Sequence, residues 1–304
     1  MPNGPIPVLE VGGTHATAVL VTADPWDLIR DSLRLVPLDA DGTTTEILDE
    51  LAAAANGLRV GRRAEWVVAV PGPFDYEGGV GLFRDVGKFE SLYGVDVRLG
   101  LLRRIRPEPT EIRFLNDADA FGVGEYAVGA ARGHDRALCI TLGTGVGSAF
   151  LDSGRPVNSG PTVPPDGSIH LVVHDGRPLE ETVSRRAIRA AYAAATGKLA
   201  GQPAPDVHVI AARSRQGDEH ARSVLQNAFV GLGAALAPLV QRFEAGVVVI
   251  GGSIASSWDL VEPAIRLGLS GVAPDLDHLD IRPAQRSADA ALLGAAFWSV
   301  NQRD

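Results

Sequence analysis

Cysteine is almost absent from this sequence, since the 304 residues include only one, Cys139. A single cysteine excludes disulfide bonds within the chain and any zinc site that needs several thiolates. Cys139 lies within the apolar run Ala-Leu-Cys-Ile-Thr-Leu. We therefore expect a buried and chemically inert thiol.

An excess of positive charge and long apolar runs are also absent. The chain has 28 Lys and Arg against 37 Asp and Glu, a formal net charge of −9, which gives no general attraction to nucleic acid or to an anionic membrane surface. No run of about 18 apolar residues suggests a transmembrane helix, and the first residues lack the basic and apolar regions of a signal peptide. We expect a cytoplasmic protein with neither a nucleic-acid nor a membrane partner.

Glycine, by contrast, is abundant, with 35 residues. Three glycine turns each follow an apolar strand: Gly12-Gly13-Thr14, Gly143-Thr144-Gly145-Val146-Gly147 and Gly251-Gly252-Ser253. The first two lead into a second apolar strand, so each predicts a β-hairpin, and the repeated hairpin suggests two related lobes. One such turn is typical of an ordinary hairpin, but three favour a nucleotide site, because glycine lets backbone amides approach an anion closely.

Strands and helices alternate along the chain, which is typical of an α/β fold. Short apolar runs such as 66–70 and 247–250 predict buried strands. Residues 156–167 are rich in proline and glycine and predict a loop. The spacing of apolar residues predicts helices over 43–56, 97–105, 118–128, 180–195, 219–243, 259–267 and 289–300.

The pair Asn116-Asp117 lies where a predicted strand ends and a helix begins. Asn and Asp are the commonest helix N-caps, which is one interpretation of the pair. The carboxyl end of a strand is also where α/β folds place catalytic groups, which is the other. The sequence pattern alone leaves both open.

Seven stretches follow one another along nearly the whole chain: VLEVGGTHATAVLV, VVAVPGPFD, FLNDADAFGVGEY, CITLGTGVGSAFLDSG, PLEETVS, VVVIGGSIA and ALLGAAFWSV. Together they resemble the ROK family of sugar kinases, within the actin-like, hexokinase-like ATPases. The resemblance implies a two-lobed α/β fold of the actin-like ATPase (ribonuclease H-like) type with a cleft between the lobes, and a homodimer. We place the small lobe at 1–115, with a C-terminal helix at about 289–304 packing back on it, and the large lobe at 116–288.

The resemblance also implies a role for individual residues. Asp117 matches the general base that takes the proton of the acceptor hydroxyl, and Asn116, His170 and Glu180 match residues that hold the acceptor. Asp75 either faces the sugar or stabilises a turn. ATP and Mg²⁺ are the implied cofactors. The residues that match the phosphate loops are Gly12, Gly13, Thr14, Gly143, Thr144, Gly145 and Gly147, and those that match the adenosine region are Gly251, Gly252 and Ser253.

Four departures from the family pattern bear on function. Glu10 stands where the family usually has Asp, so its path to Mg²⁺, directly or through water, changes, and His15 stands where Lys is usual. Gly167 stands where glucose-type members carry a Glu. The cysteine-rich zinc motif that should follow His170 is missing, so we expect no zinc site.

These observations predict a kinase that phosphorylates a primary hydroxyl of a hexose-like sugar or a cyclitol, with a small-molecule acceptor as its partner. Because Gly167 lacks a carboxylate, we expect glucose to be a poor acceptor. Two alternatives remain open: a catalytically weak, sugar-binding regulatory protein of the same family, and a plain glucokinase.

Overall fold

The computed structural model describes residues 4–61, 63–197 and 204–301. The chain divides into two compact units, Met1–Val128 with Ala288–Asp304, and Gly129–Ser287. The elements up to residue 128 are β1 (Ile6–Val11), β2 (His15–Ala23), β3 (Trp26–Leu28), β4 (Arg34–Pro37), α1 (Thr44–Asn56), β5 (Glu65–Val70), β6 (Phe74–Asp75), β7 (Val80–Gly81), α2 (Val97–Leu102), β8 (Glu111–Asn116) and α3 (Asp117–Val128).

The remaining elements follow in chain order. They are β9 (Arg136–Leu142), β10 (Val146–Asp152), β11 (Arg155–Pro156), β12 (Val173–His174), β13 (Arg177–Pro178), α4 (Glu180–Val183), α5 (Arg185–Ala195), α6 (Val207–Arg215), α7 (Glu219–Phe243), β14 (Val247–Gly251), α8 (Trp258–Val272), β15 (Asp280–Pro283) and α9 (Ala290–Asn301).

The main sheet of the first unit has the strand order β3-β2-β1-β5-β8, and β4 pairs with β2. The hairpin β1–β2 is antiparallel, whereas β1, β5 and β8 run parallel. The carboxyl ends of these three strands therefore lie along one edge of the sheet, which is where α/β folds place ligands.

Helices cover both faces of this sheet because side chains alternate along each strand. Leu9 of β1 is buried in one cluster with Ile47 of α1. Val8, its neighbour, is buried in another cluster with Leu292 and Leu293 of α9. The central strands are thus apolar on both faces, as their short continuous apolar runs predict.

Two glycines allow α3 and α9 to pack at close range. A Cβ at Gly124 would collide with the carbonyl oxygen of Ala290, and one at Gly294 would collide with that of Ala120. Because α3 packs so closely on α9, the structure groups it with the first unit. The boundary between the units therefore lies after Val128, whereas the sequence analysis put it before residue 116.

The second unit repeats the same pattern of strands. Its sheet has the order β11-β10-β9-β14-β15, with an antiparallel hairpin β9–β10 and parallel β9, β14 and β15. Cys139 is buried in β9, as expected. The carboxyl ends of β9 and β14 are adjacent, since Gly251 pairs with Thr141, and the second and third glycine turns follow these two ends.

The long helix α7 forms the centre of the second unit. Its length and apolar composition alone would allow a membrane span, but 61% of its most apolar 18-residue window is buried inside the protein. Leu232 and Leu236 of α7 are fully buried in one cluster with Leu138 and Ile140 of β9. Within the part of the chain that the structure describes, α7 is a core helix.

Several predicted bounds need correction. The helix predicted over 180–195 is two helices, because Ser184 has an extended backbone (ψ 158°) and caps α5 by accepting a hydrogen bond from the Ala187 amide. Helix α2 ends at Leu102 rather than 105, and α8 extends to Val272 rather than 267. The helix α6 and the strand β15 were not predicted.

Candidate active site

Two carboxylates lie at the carboxyl edge of the first sheet. Glu10 is the penultimate residue of β1, and Asp117 begins α3 directly after β8. Burial and the neighbouring negative charge of Asp117 raise the pKa of Glu10 from 4.5 to about 7. Asp117 is therefore close enough for its charge to disfavour ionisation of Glu10.

Opposing influences act on the pKa of Asp117, the second member of the pair. Burial raises the pKa of Asp117, whereas the positive charge of Lys88 and a hydrogen bond from the Ala118 amide lower it. That amide donates to Oδ1 of Asp117 at 2.8 Å. A carboxylate whose pKa is raised toward neutrality is a stronger base, which suits it to accept a proton.

Asn116 links the start of α3 to a tyrosine. Its Oδ1 accepts hydrogen bonds from the amides of Ala118 at 2.9 Å and Asp119 at 3.2 Å, so the N-cap interpretation is correct. Its Nδ2 donates to the hydroxyl of Tyr76 at 2.8 Å. The cap fixes the amide plane, and Nδ2 therefore points away from the helix toward Tyr76. The sequence analysis missed Tyr76, which is 40 residues away in the chain.

Asp75, next to Tyr76, stabilises a turn. Its Oδ1 accepts a hydrogen bond from the Gly78 amide at 2.8 Å, and its side chain fills the space that a Cβ at Gly78 would need. Of the two interpretations of Asp75, the turn contact is present. A contact with a sugar stays a prediction.

The first glycine turn joins β1 to β2 in the same unit. The Gly12 amide donates to the His15 carbonyl at 2.9 Å, and a Cβ at Gly12 would lie 2.9 Å from that oxygen. Gly13 and Thr14 are exposed, and Thr14 Oγ1 lies 2.9 Å from His15 Nδ1. The turn is tight, and its tip is open to a ligand.

The second and third glycine turns are adjacent in the second unit. Gly252 has φ +83°, and a Cβ there would collide with the backbone of Leu142, just before the second turn. The Gly143 carbonyl accepts a hydrogen bond from the Arg185 amide at 2.8 Å, and Ser253 Oγ accepts one from Arg185 Nη2 at 2.8 Å. The sequence analysis did not single out Arg185, which contacts both turns.

Glu180 lies beside the second turn. A Cβ at Gly145 would be 3.6 Å from Glu180 Oε1. The carboxylate is partly buried at the start of α4. The structure therefore places this predicted acceptor residue next to Thr144 and Gly145, whose predicted partner is phosphate.

The loop that carries Gly167 and His170 is tied to β10. Ser148 Oγ donates to the Gly167 carbonyl at 2.6 Å and accepts from the Ile169 amide at 3.1 Å. Gly167 has φ +64°, and a Cβ there would lie 2.9 Å from Asn158 Oδ1. His170 follows, partly buried, in a short 3₁₀ turn.

The predicted site residues thus form two groups. Glu10, the first glycine turn, Asp75, Asn116 and Asp117 belong to the first unit, and the other two turns, His170 and Glu180 belong to the second. Over residues 4–61, 63–197 and 204–301, no three His, Cys, Asp or Glu residues form a cluster that could hold a metal ion. Repeated hairpin-and-parallel-strand units, with glycine turns at their strand ends and a partly buried acidic pair, define a protein of the actin-like ATPase type.

Comparison with known proteins gives the family. The model described as the ROK family matches residues 8–302. The glucokinase of Thermotoga maritima is 26% identical over an alignment of 321 positions, which includes 97% of this chain and 97% of that protein. The N-acetylmannosamine kinase of Escherichia coli O127:H6 is 28% identical over an alignment of 306 positions, which includes 97% of this chain and 98% of that protein.

Solved structures agree in fold. The ROK hexokinase from Thermus thermophilus has a TM-score of 0.78 at 25% identity, covering 98% of this chain and 99% of that one. The ROK glucokinase from Streptomyces griseus, in complex with glucose and AMPPNP, has a TM-score of 0.74 at 22% identity, covering 97% and 99%. The chain belongs to the ROK family, and the predicted α/β fold of the actin-like ATPase type is confirmed.

Proposed function

We propose that this protein transfers the γ-phosphoryl group of ATP, with Mg²⁺, to a primary hydroxyl of a hexose-like sugar or a cyclitol, with Asp117 as the general base. The chain is an ATP-dependent carbohydrate kinase, a phosphotransferase with an alcohol acceptor, like the relatives named above. The observation that supports the role of Asp117 is its raised pKa at the carboxyl edge of the sheet, beside Asn116 and Glu10.

The chemistry follows from the pKa of an alcohol. A sugar hydroxyl does not ionise at neutral pH, so its proton must leave as its oxygen attacks the γ-phosphorus. Asp117 takes that proton, the bond from the γ-phosphorus to the bridging oxygen breaks, and ADP leaves. The remaining catalysis is orientation and neutralisation of charge. Asn116 orients the acceptor. The Asn116 side chain is itself held by the α3 amides at Oδ1 and by the Tyr76 hydroxyl at Nδ2.

The residues at this edge fit a magnesium ion. Mg²⁺ is held in kinases by one or two carboxylates together with phosphate oxygens and water, not by an all-protein cage. Glu10 supplies one carboxylate, and its pKa is raised by burial and by the negative charge of Asp117, a charge that a divalent cation would offset. When bound, the cation neutralises the phosphates. Glu10 would hold it directly or through water.

The glycine turns would hold the nucleotide. Gly12, Gly13 and Thr14 in one unit, and residues 143–147 in the other, offer amides and hydroxyls to phosphates. Gly251, Gly252 and Ser253 would border the adenosine. His170 and Glu180 complete the acceptor site in this proposal, and Asp75 is a further candidate contact. We also propose a homodimer in the cytoplasm.

Gly167 bears on the class of the acceptor. This position has no carboxylate to accept hydrogen bonds from ring hydroxyls, so recognition there differs from that of a glucose-type site. The test is an ADP-release assay with hexoses, N-acylhexosamines, inositols and C7-cyclitols, with Asp117→Asn as the inactive control. Release of ADP with one acceptor well above glucose supports the proposal. The highest kcat/KM with glucose would instead identify a glucokinase.

A second candidate function is a sugar-binding regulator with weak activity. It is favoured by Glu10, His15 and Gly167, each of which departs from the family pattern. Calorimetric binding of an acceptor without ADP release in the same panel would support this alternative. Turnover of a bound acceptor would exclude it.

A further inference from the structure

Arg185 contacts two glycine turns of the second unit, one through its backbone and one through its side chain. It is the first residue of α5, and its amide donates to the Gly143 carbonyl of the second glycine turn at 2.8 Å. Its side chain donates through Nη2 to Ser253 Oγ of the third glycine turn, also at 2.8 Å. One residue therefore joins the two turns that follow β9 and β14.

The hydrogen bonds of this guanidinium are incomplete. Its Nε is buried and has no hydrogen-bond partner within the described part of the chain. The nearest carboxylate oxygen, Oδ1 of Asp206, is 3.6 Å from Nε. That oxygen already accepts the Val207 amide at 2.5 Å as the N-cap of α6. Arg189 of the same helix has an equally unpartnered Nε, so what distinguishes Arg185 is that its amide and its Nη2 contact two glycine turns.

The positive charge of the guanidinium also favours an anionic ligand such as a phosphate. Arginine stays protonated at every physiological pH and presents five donors in a plane, which match the oxygens of a phosphate. Ser253 is a neutral partner. Asp206 Oδ1 lies 3.6 Å from Nε and forms an ion pair with the guanidinium, but it is too far away for a hydrogen bond. The side chain is also 35% exposed, so part of it remains open to a ligand.

We propose that Arg185 is a nucleotide-binding residue, whose guanidinium binds the phosphate groups of the nucleotide while its Nη2 holds the third glycine turn in place. The inference rests on the proposed function, because it takes the turns at residues 143–147 and 251–253 as the nucleotide site. It adds a side-chain cation to a site otherwise built from backbone amides and hydroxyls.

The test is direct binding of AMPPNP with Mg²⁺ to the full chain by calorimetry, with Arg185→Ala compared with the wild type. Because a hydrogen bond to a charged group contributes about 1.5–3 kcal/mol, we expect binding to weaken by about 10- to 150-fold. Binding of adenosine, which has no phosphate, should weaken by a smaller factor, because the variant then loses only the contact with Ser253. The KM for the acceptor should also be unchanged, whereas the KM for ATP rises.

Two control variants separate this role from loss of charge or of structure. Arg186→Ala removes the same charge from the next residue, which is exposed. Arg189→Ala removes an arginine one turn further along α5, whose Nε is also buried without a partner and whose Nη2 donates to the Ala204 carbonyl at 2.8 Å. Both should bind AMPPNP as the wild type does. If Arg185→Ala does not fold, Arg185→Lys keeps the charge with a single ammonium, and we expect weakening of at least about threefold.

The outcomes are distinguishable. Equal AMPPNP affinity for the wild type and a folded Arg185 variant would overturn this inference and leave the proposed function intact. Equal weakening of adenosine and AMPPNP would overturn the assignment to phosphate. A wild-type protein that binds AMPPNP but phosphorylates no acceptor would contradict the proposed function and leave Arg185 as a nucleotide-binding residue. A wild-type protein that binds no nucleotide would overturn both.

Discussion

Replacing Glu10 by Gln should stabilise the first unit at neutral and alkaline pH. The glutamate carboxylate lies at the end of the central strand β1, and burial together with the charge of Asp117 raises its pKa from 4.5 to about 7. Glutamine has nearly the same shape and remains neutral. The substitution therefore removes the ionisation and little else.

The sign and the size follow from linkage between protonation and folding. Between pH 4.5 and 7 the folded state keeps a proton on Glu10 that the unfolded state has lost, so stability falls as pH rises through this window. A shift of the pKa from 4.5 to about 7 lowers the free energy of unfolding by at most about 3 kcal/mol at pH 8. Below pH 4.5 it has no effect on that free energy. With a urea m-value of about 2 kcal/mol/M, the unfolding midpoint of Glu10→Gln should exceed that of the wild type by up to about 1.5 M at pH 8.

Tryptophan fluorescence can report on this unit alone. Three of the four tryptophans, Trp26, Trp66 and Trp298, belong to the first unit, and Trp258 belongs to the second. The measurement is urea unfolding in a Trp258→Phe background, at pH 5, 6, 7 and 8, with EDTA present.

The matched control is Glu111→Gln, which removes an exposed carboxylate from β8 of the same unit. It should leave the pH dependence as in the wild type. If Glu10→Gln lowers the midpoint at pH 8, or changes it equally at pH 5 and pH 8, the buried carboxylate is not destabilising and the reasoning is wrong.

Four other predictions concern activity and metal content. Asp117→Asn should lower kcat by about 10²–10⁴-fold while AMPPNP still binds, and wild-type turnover would exclude it as the base. Lys88→Met removes the positive charge that lowers the pKa of Asp117, so the acidic limb of the pH profile of kcat/KM should move to higher pH; an unchanged limb would contradict this. Tyr76→Phe should raise the KM for the acceptor about 3- to 10-fold, because Asn116 Nδ2 loses its partner, and should leave the KM for ATP unchanged. The purified protein should contain no stoichiometric zinc, and EDTA should abolish activity only by removing Mg²⁺. Elemental analysis showing one zinc per chain would contradict this and would mean that His170 binds zinc together with other ligands.

The sequence predicts those elements whose signals are local. The hairpins β1–β2 and β9–β10 follow from two apolar runs around a glycine turn, and α7 has the predicted bounds, Glu219–Phe243. Helix α1 begins where Thr43 and Glu46 form a capping box. In each case the residues that fix the element lie within it or beside it.

Elements that depend on distant contacts were missed. The strand β15 is four residues long and exists through its pairing with β14, more than 30 residues earlier in the chain.

Two other features were missed although they carry a local signal. Asp206 caps the helix α6 ahead of the buried Val207 and Ile210. The break at Ser184 also had one, because serine is a common N-cap and here begins a new helix inside a helical pattern.

The residues of the candidate site also differ in whether the sequence near them carries a signal. Asn116 and Asp117 were predicted as site residues from the family resemblance, since their position at the end of a strand also fitted a helix N-cap. Tyr76 and Arg185 carry no local signal, since their importance depends on partners 40 and 68 residues away in the chain. A pattern at one place in a sequence cannot specify a hydrogen bond to a residue so far along the chain.

Gly167 illustrates what the structure adds to a departure from a family pattern. In the sequence it is only a missing carboxylate. In the structure it has φ +64°, its carbonyl accepts from Ser148 Oγ, and a Cβ would press against Asn158 Oδ1 at 2.9 Å. A glutamate at this position would therefore strain the backbone and displace Asn158. Gly167→Glu should consequently not convert the protein to a glucose-type kinase, because the positive φ of residue 167 and its contact with Asn158 do not accommodate the larger side chain. A change of acceptor would require rebuilding residues 158–167 together.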